Sequence, residues 1–210
     1  MKINKLHMPF MALAAVLIVL VFNSCKDYYQ PKPRGYFRIE FPKKKYLTSS
    51  EKLPYSFDYP VYANLENDNH PFAEKYWTNL VFPDFQAKVH LSYKAVNGNL
   101  AALLEDAHKM VNKHIPKANA INEQVFINKT EKVYGIAYSI HGVDAASVYQ
   151  FYLTDSTNHF IRAALYFNVA PNNDSLSPVI ALIKTDLQYL IQPFKWNSRS
   201  EEGHSAIYHV

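Results

Sequence analysis

The chain has 210 residues, nearly half of them hydrophobic, and a single cysteine. That length and composition give one globular domain with a sizeable core, and a lone cysteine excludes both an internal disulfide and a thiolate zinc cluster. The net charge is +4, and the part from Cys25 onward carries only +2, with 20 basic against 18 acidic residues, so there is no electrostatic case for nucleic acid as a partner.

The first element is a leader. Lys2 and Lys5 precede an apolar run from Met8 to Phe22. As a helix this run spans roughly 22 Å, short of the roughly 30 Å hydrocarbon core, so residues 1–24 read as a signal peptide rather than a spanning helix. The run ends in Phe22-Asn23-Ser24-Cys25, a small residue followed by cysteine, which resembles a lipobox. Phe22 stands where Leu or Val is usual. In that reading Cys25 is the lipid attachment residue, and the alternative is an ordinary signal peptide with an incidental cysteine. Each buried methylene adds about 0.8 kcal/mol, and two or more acyl chains anchor stably.

Residues 25–50 contain Pro31, Pro33 and Pro42 and read as an extended tether passing into a first strand near 36–40. Arg34, Tyr36, Phe37 and Arg38 make a candidate anchor set for a protein partner, the alternative being a strand that docks on the sheet edge. Lys43 to Lys45 read as a solvated turn. Residues 51–196 read as a single domain. In "AKVHLSYKAV" Val89, Leu91, Tyr93 and Ala95 alternate with Lys88, His90, Ser92 and Lys94, the pattern of a strand with one wet face. Further β segments follow at "QVFINKT", "KVYGIAYSIHG", "SVYQFYL" and "HFIRAALYFNV", and the last of these is apolar on both faces apart from Arg162, as in a central strand covered on both sides.

Two helices interrupt the strands. Leu100, Leu103, Leu104, Ala107, Val111 and Ile115 form one stripe, with Asn99 as N-cap and Pro116 as stop; Val179, Ile183, Leu187, Leu190, Ile191 and Phe194 form another, with Ser177 as N-cap and Pro178 in the first turn. Residues 197–210 lack periodicity and read as a loose tail. The order predicts an α+β domain: a mostly antiparallel sheet of about five to seven strands packed with two main helices, at fold level similar to the Mog1/PsbP-like sandwich.

Chemistry is sparse. There is no G-x-S-x-G, H-E-x-x-H, C-x-x-C, phosphate loop or G-x-G-x-x-G, so no enzyme activity and no cofactor are expected. "LTDSTNHF" brings Asp155, Ser156 and His159 together, but those residues read as a hairpin turn rather than a triad, whose members converge from separate elements. His108 and His114 point about 120° apart on a helix and do not share a metal, and His90 belongs to the wet strand face, so no metal site is expected. Most of the sixteen tyrosines are expected in the core. An aromatic-rich sheet face binding a small molecule or glycan is the competing reading, and Asp155, His159 and Arg162 complete the candidate partner-contact residues.

"PKPRGYFRIEFP", "FPDFQAKVHLSYKAV", "LLEDAHKMVNKH", "VYGIAYSIHG", "QFYLTDSTNHFIRAALYFN" and "PNNDSLSPVI" together resemble the GldD family of gliding-motility lipoproteins. Ala163 stands where the family is associated with glycine. The resemblance implies a non-enzymatic lipoprotein of the cell envelope, needed for movement over surfaces, linked to type IX secretion and acting on other gliding and secretion proteins, with Cys25 acylated. Lys26 after the cysteine, in place of an inner-membrane aspartate, favours the outer membrane facing the periplasm; "CKDYY" also begins like some surface-export signals.

Overall fold

The structure, a computed structural model, describes residues 40–197. The leader, Cys25, the tether with Arg34, Tyr36, Phe37 and Arg38, and residues 198–210 lie outside the described residues. Of the strand expected near 36–40, only Glu40 is described, and it belongs to no strand.

Within the described residues, eleven strands and two long helices follow in order: β1 (Tyr46–Thr48), β2 (Tyr55–Ser56), β3 (Asp58–Pro60), β4 (Asn64–Asn67), β5 (Thr78–Phe82), β6 (Ala87–Ala95), α1 (Leu100–Asn112), β7 (Ala120–Asn128), β8 (Val133–His141), β9 (Ser147–Thr154), β10 (His159–Phe167), α2 (Asn173–Ile191) and β11 (Lys195–Trp196). Seven of the strands form one sheet in the order β4-β5-β6-β10-β9-β8-β7, antiparallel throughout. Two small ribbons, β1–β3 and β2–β11, stand beside it. The fold is the α+β sandwich that the alternation of strands and helices predicts.

One face of the sheet carries the larger core. Val89, Leu91, Ile161, Ala163, Leu165, Phe151 and Leu153 meet Val179, Ile183, Leu187 and Leu190 of α2, and Tyr55 and Phe57 of the ribbons extend the same core. Phe194 stacks against both Tyr55 and Phe57, with ring centroids 6.1 and 6.3 Å away. Every stripe residue predicted for α2 is buried. On the opposite face α1 lays Ala107 and Val111 on Tyr138, Ile140, Tyr152 and Phe160. β9, under both helices, is buried at all eight positions. Its neighbour β8 approaches closely at Gly135, where a Cβ would stand 2.0 Å from the Tyr152 carbonyl oxygen, so only glycine fits.

Three local expectations are corrected. α1 stops at Asn112, and Ile115, expected in its stripe, sits in a following 3-10 turn and is 57% exposed. α2 begins at Asn173, not after Ser177. Asn172 is the cap and accepts from the Ser175 N–H, while the Asn173 side chain donates to the carbonyls of Gly142 and Ala145, tying the first turn to the loop between β8 and β9. Pro178 therefore lies inside the helix, close enough to its start to remove a single ladder bond. Asn197 is no part of a loose tail: its N–H donates to the Pro54 carbonyl and its Nδ2 to that of Leu53.

The ribbon layer is fastened to α2 by a buried carboxylate. Asp186 is only 1% exposed, and its oxygens accept from the Tyr46 hydroxyl at 2.9 Å and from the Tyr62 hydroxyl, with the Lys44 ammonium at 3.2 Å. So one lysine of the expected solvated triplet is recruited. Burial pushes the Tyr46 phenol up to about 12, the Asp186 hydrogen bond and charge adding to it, and Tyr62 shifts the same way for the same causes, so both remain protonated donors. Removing a partner from a buried charged network is costly because the remaining groups stay desolvated. Asp186→Ala is expected to cost about 2–4 kcal/mol in urea unfolding, whereas Lys44→Ala, whose ammonium is half in water, is expected to cost under about 1 kcal/mol. Equal losses from the two variants would show that the carboxylate is not the centre of this clasp.

Candidate functional site

The turn between β9 and β10 carries Asp155, Ser156 and His159. Asp155 Oδ1 accepts three backbone N–H bonds, from Thr157 at 3.0 Å and from Asn158 and His159 at 2.8 Å each. Thr154 Oγ1 donates to the His159 carbonyl, and Ser156 takes a left-handed backbone with φ of 70°. The His159 ring meets the Tyr93 hydroxyl at Nδ1, 2.8 Å away, and stacks on Trp196 with centroids 5.1 Å apart. The carboxylate is thus engaged in closing a hairpin, as side chains of this type do in turns. Burial opposes its ionisation, but the three N–H groups and the nearby His159 outweigh that and hold it below the ordinary carboxylate value.

Arg162 lies in β10, on the α1 face of the sheet but beyond the helix. Its guanidinium donates to Gln150 Oε1 at 2.6 Å and is half-buried, and that burial lowers its pKa, opposed by the Tyr166 hydroxyl. Among the described residues no carboxylate lies within ion-pair distance of it. Arg162 stands over a polar cleft of about 550 Å³ whose lining includes Glu66, Asp68, Trp77, Asn79, Lys88 and His90, with Ala164 and Tyr166 beside them. The sheet register explains the gathering: Glu66, Asn79, His90, Ala164 and Gln150 form one row across five strands, and Ser92 faces Arg162 in the next. Ala164 offers no side chain beyond its Cβ, so the floor is open between Arg162 and Tyr166. His90 is held below its usual value by burial and by Lys88, and Asp68 Oδ2 lies 4.0 Å from its Nδ1. His114, just past α1, is lowered by burial and by the charge of Arg162.

On the far side of the same face, β7 is the last strand of the sheet. Ile121 packs under α1, but Val125 and Ile127 lie past the helix and are each 64% exposed. Phe126, pointing the other way, is tucked toward the core.

Of the residues singled out from sequence, Asp155 and His159 come together in a turn and Arg162 is separated from them in the cleft, while Cys25, Arg34, Tyr36, Phe37 and Arg38 lie outside the described residues. His108 is exposed on α1, near the Tyr138 hydroxyl, and among the described residues no three His, Cys, Asp or Glu side chains could hold a metal. Asn79, Ala164, Val125 and Ile127 carry no sequence signal as site residues, since each is placed by pairing with distant strands; only the wet face of β6 hints at the cleft. Because the Asp155 value is depressed in the fold, its contribution to stability is full above the ordinary carboxylate range and disappears as pH falls through the folded value. Asp155→Asn is therefore expected to lose about 1 kcal/mol at neutral pH in chemical denaturation, with the gap to the parent closing below about pH 4. A gap independent of pH would contradict this role.

No helix among the described residues is long and apolar enough to cross a membrane. No curated protein matches the chain in sequence. A solution structure of cyanobacterial PsbP from Synechocystis sp. PCC 6803 is similar at 11% identity and a TM-score of 0.44, over 80% of this chain and 99% of that one, and the fold stands on its own sheet and helices without that likeness. A model of the family described as gliding motility lipoprotein GldD matches residues 26–196, which takes in all eleven strands and both helices. The chain belongs to the GldD family of gliding motility lipoproteins.

Proposed function

We propose that this lipoprotein works in gliding as a non-enzymatic partner of other envelope proteins, including the type IX secretion machinery, while acyl chains on Cys25 hold it at the outer membrane facing the periplasm. The family supports the lipid anchor and the gliding role. The observation that supports protein contact is the edge of β7: nine residues long, paired among the described residues only with β8, and carrying exposed Val125 and Ile127. An edge of that length presents a row of backbone donors and acceptors, and exposed apolar side chains beside it add the burial that makes strand addition favourable. The arrangement fits a component that acts by touching neighbours.

Two measurements test this. Cys25→Ser is expected to release the protein from the membrane fraction and to abolish spreading on agar; normal spreading by released protein would overturn the anchored role. Val125→Glu combined with Ile127→Lys is expected to leave membrane association and melting temperature near the parent's while spreading and adhesin export both fall. Intact motility in that double variant would remove β7 as the contact surface.

A further inference from the structure

The cleft over Arg162 is built of parts that the folding of the domain does not consume. Asn79 is only 6% exposed, yet its Oδ1 has no hydrogen-bond partner among the described residues, and Gln150, which holds Arg162 from behind, leaves its Nε2 equally without one. A half-buried guanidinium facing neutral polar groups is an unfavourable arrangement on its own, because desolvation of the cation is not offset by an anion. Unsatisfied buried polar atoms of this sort are rare, and either water or a bound molecule supplies the missing partners. Asp68 Oδ1 accepts from the His70 N–H, while its Oδ2 lies 4.0 Å from His90 Nδ1, on the cleft side. The acids of the cleft, Glu66 and Asp68, come from β4 and the loop after it, while the cations Arg162 and Lys88 come from β10 and β6. Charge is therefore divided across the opening: an anion is favoured at the β10 side, and groups that donate hydrogen bonds are favoured at the β4 side.

The rest of the lining narrows the ligand class. Asn67, Asn69, Asn79 and Ser92 are neutral hydrogen-bonding groups, and Trp77 and Tyr166 are the aromatic residues among them. Apolar surface is present as well, from the Trp77 and Tyr166 rings and the Ala164 methyl, but it is interspersed with charged and amide groups on every strand of the cleft. A ring carrying several hydroxyls suits that mixture, because each hydroxyl both donates and accepts and the aromatic residues offer apolar surface to its C–H faces. The planar fork of an arginine suits a carboxylate, which it grips with two parallel bonds. The volume, about 550 Å³, lies within the range of small-ligand sites.

We infer that the cleft between β4 and β10 is a binding site for an acidic sugar, a uronic acid unit whose carboxylate pairs with Arg162 and whose hydroxyls meet Asn79, Ser92 and Asp68 over the bare floor at Ala164. The site is separate from the β7 edge and does not depend on how the protein contacts its neighbours. It equips a surface-movement lipoprotein to hold an acidic polysaccharide chain end or a single sugar acid.

The test is calorimetric titration of the full-length lipidated protein in mild detergent with glucuronate, with glucose as the neutral counterpart and with inorganic phosphate as a bare anion. Saturable binding of glucuronate, at least about tenfold tighter than that of glucose or phosphate, is expected. Arg162→Gln is expected to weaken glucuronate by at least about tenfold, the loss of one charge-assisted pair, with melting temperature unchanged or raised because an unpaired buried cation is gone. Ala164→Leu keeps the arginine and fills the floor; it is expected to abolish binding and decides the matter should Arg162→Gln fail to fold. Phosphate binding as tightly as glucuronate would reduce the site to a general anion site and overturn the sugar assignment. No binding of glucuronate, or unaltered binding in the folded variants, would overturn the site itself.

Discussion

A seven-stranded sheet is wider than any one helix can cover. Seven strands spaced about 4.8 Å apart span about 29 Å, and a helix with its side chains is about 10–12 Å across. On one face the shortfall is met by α2 together with the two ribbons, which close the core from β5 to β8. On the other face α1 packs over Tyr138, Ile140, Tyr152 and Phe160 of β8 to β10 and reaches no farther along β7 than Ile121. What remains beside it, among the described residues, is the polar cleft on one flank and the apolar edge on the other. Both candidate surfaces follow from that mismatch.

The face under α2 explains why the ribbons need Asp186. Short strands such as β2, of two residues, contribute little pairing of their own. Their rings supply most of the burial, Tyr55 and Phe57 stacking on Phe194, but ring burial has weak directionality. A buried carboxylate receiving two phenols and an ammonium specifies where the layer sits, since any shift leaves charge desolvated without partners. The clasp also lies early in the domain: Lys44 is nineteen residues from Cys25, so the described chain begins beside the layer that Asp186 holds.

The two faces divide the labour of the molecule. The face under α2 is the larger packed interior, with Tyr55, Tyr93 and Tyr149 inside it. Among the described residues only five of the chain's sixteen tyrosines are buried, fewer than the composition leads one to expect, and the other two of the five lie under α1. The face under α1 is where strand β6 shows Lys88, His90 and Ser92 and where β10 shows Arg162. The open surface mixes polar and charged groups with the Trp77 and Tyr166 rings, while the stacked rings of Tyr55, Phe57 and Phe194 are inside. The turn at Asp155 belongs to neither surface, and its carboxylate serves the chain reversal that places β10 between β9 and β6.

Periodic features are legible in the order of the residues alone. The alternation in "AKVHLSYKAV" and the stripe from Val179 to Phe194 depend on which residues follow one another, and side-chain direction along a strand or helix is a local property. The turn at Asp155 is readable for the same reason, since its hydrogen bonds close within four residues. The start of α2 is not, because Asn173 is held by carbonyls 28 and 31 residues away, and no local pattern announces such partners. Nor is the cleft, whose members sit on separate strands and meet only through register, or the partner set of Asp186, which includes Tyr46 at a separation of 140 residues. Fold class, family and the residue that carries the lipid reading were therefore within reach of the chain's own order, all of them local or additive signals. Which polar residues share a site and which apolar ones stay exposed were settled by packing in three dimensions, because both depend on how far one helix extends across a sheet too wide for it.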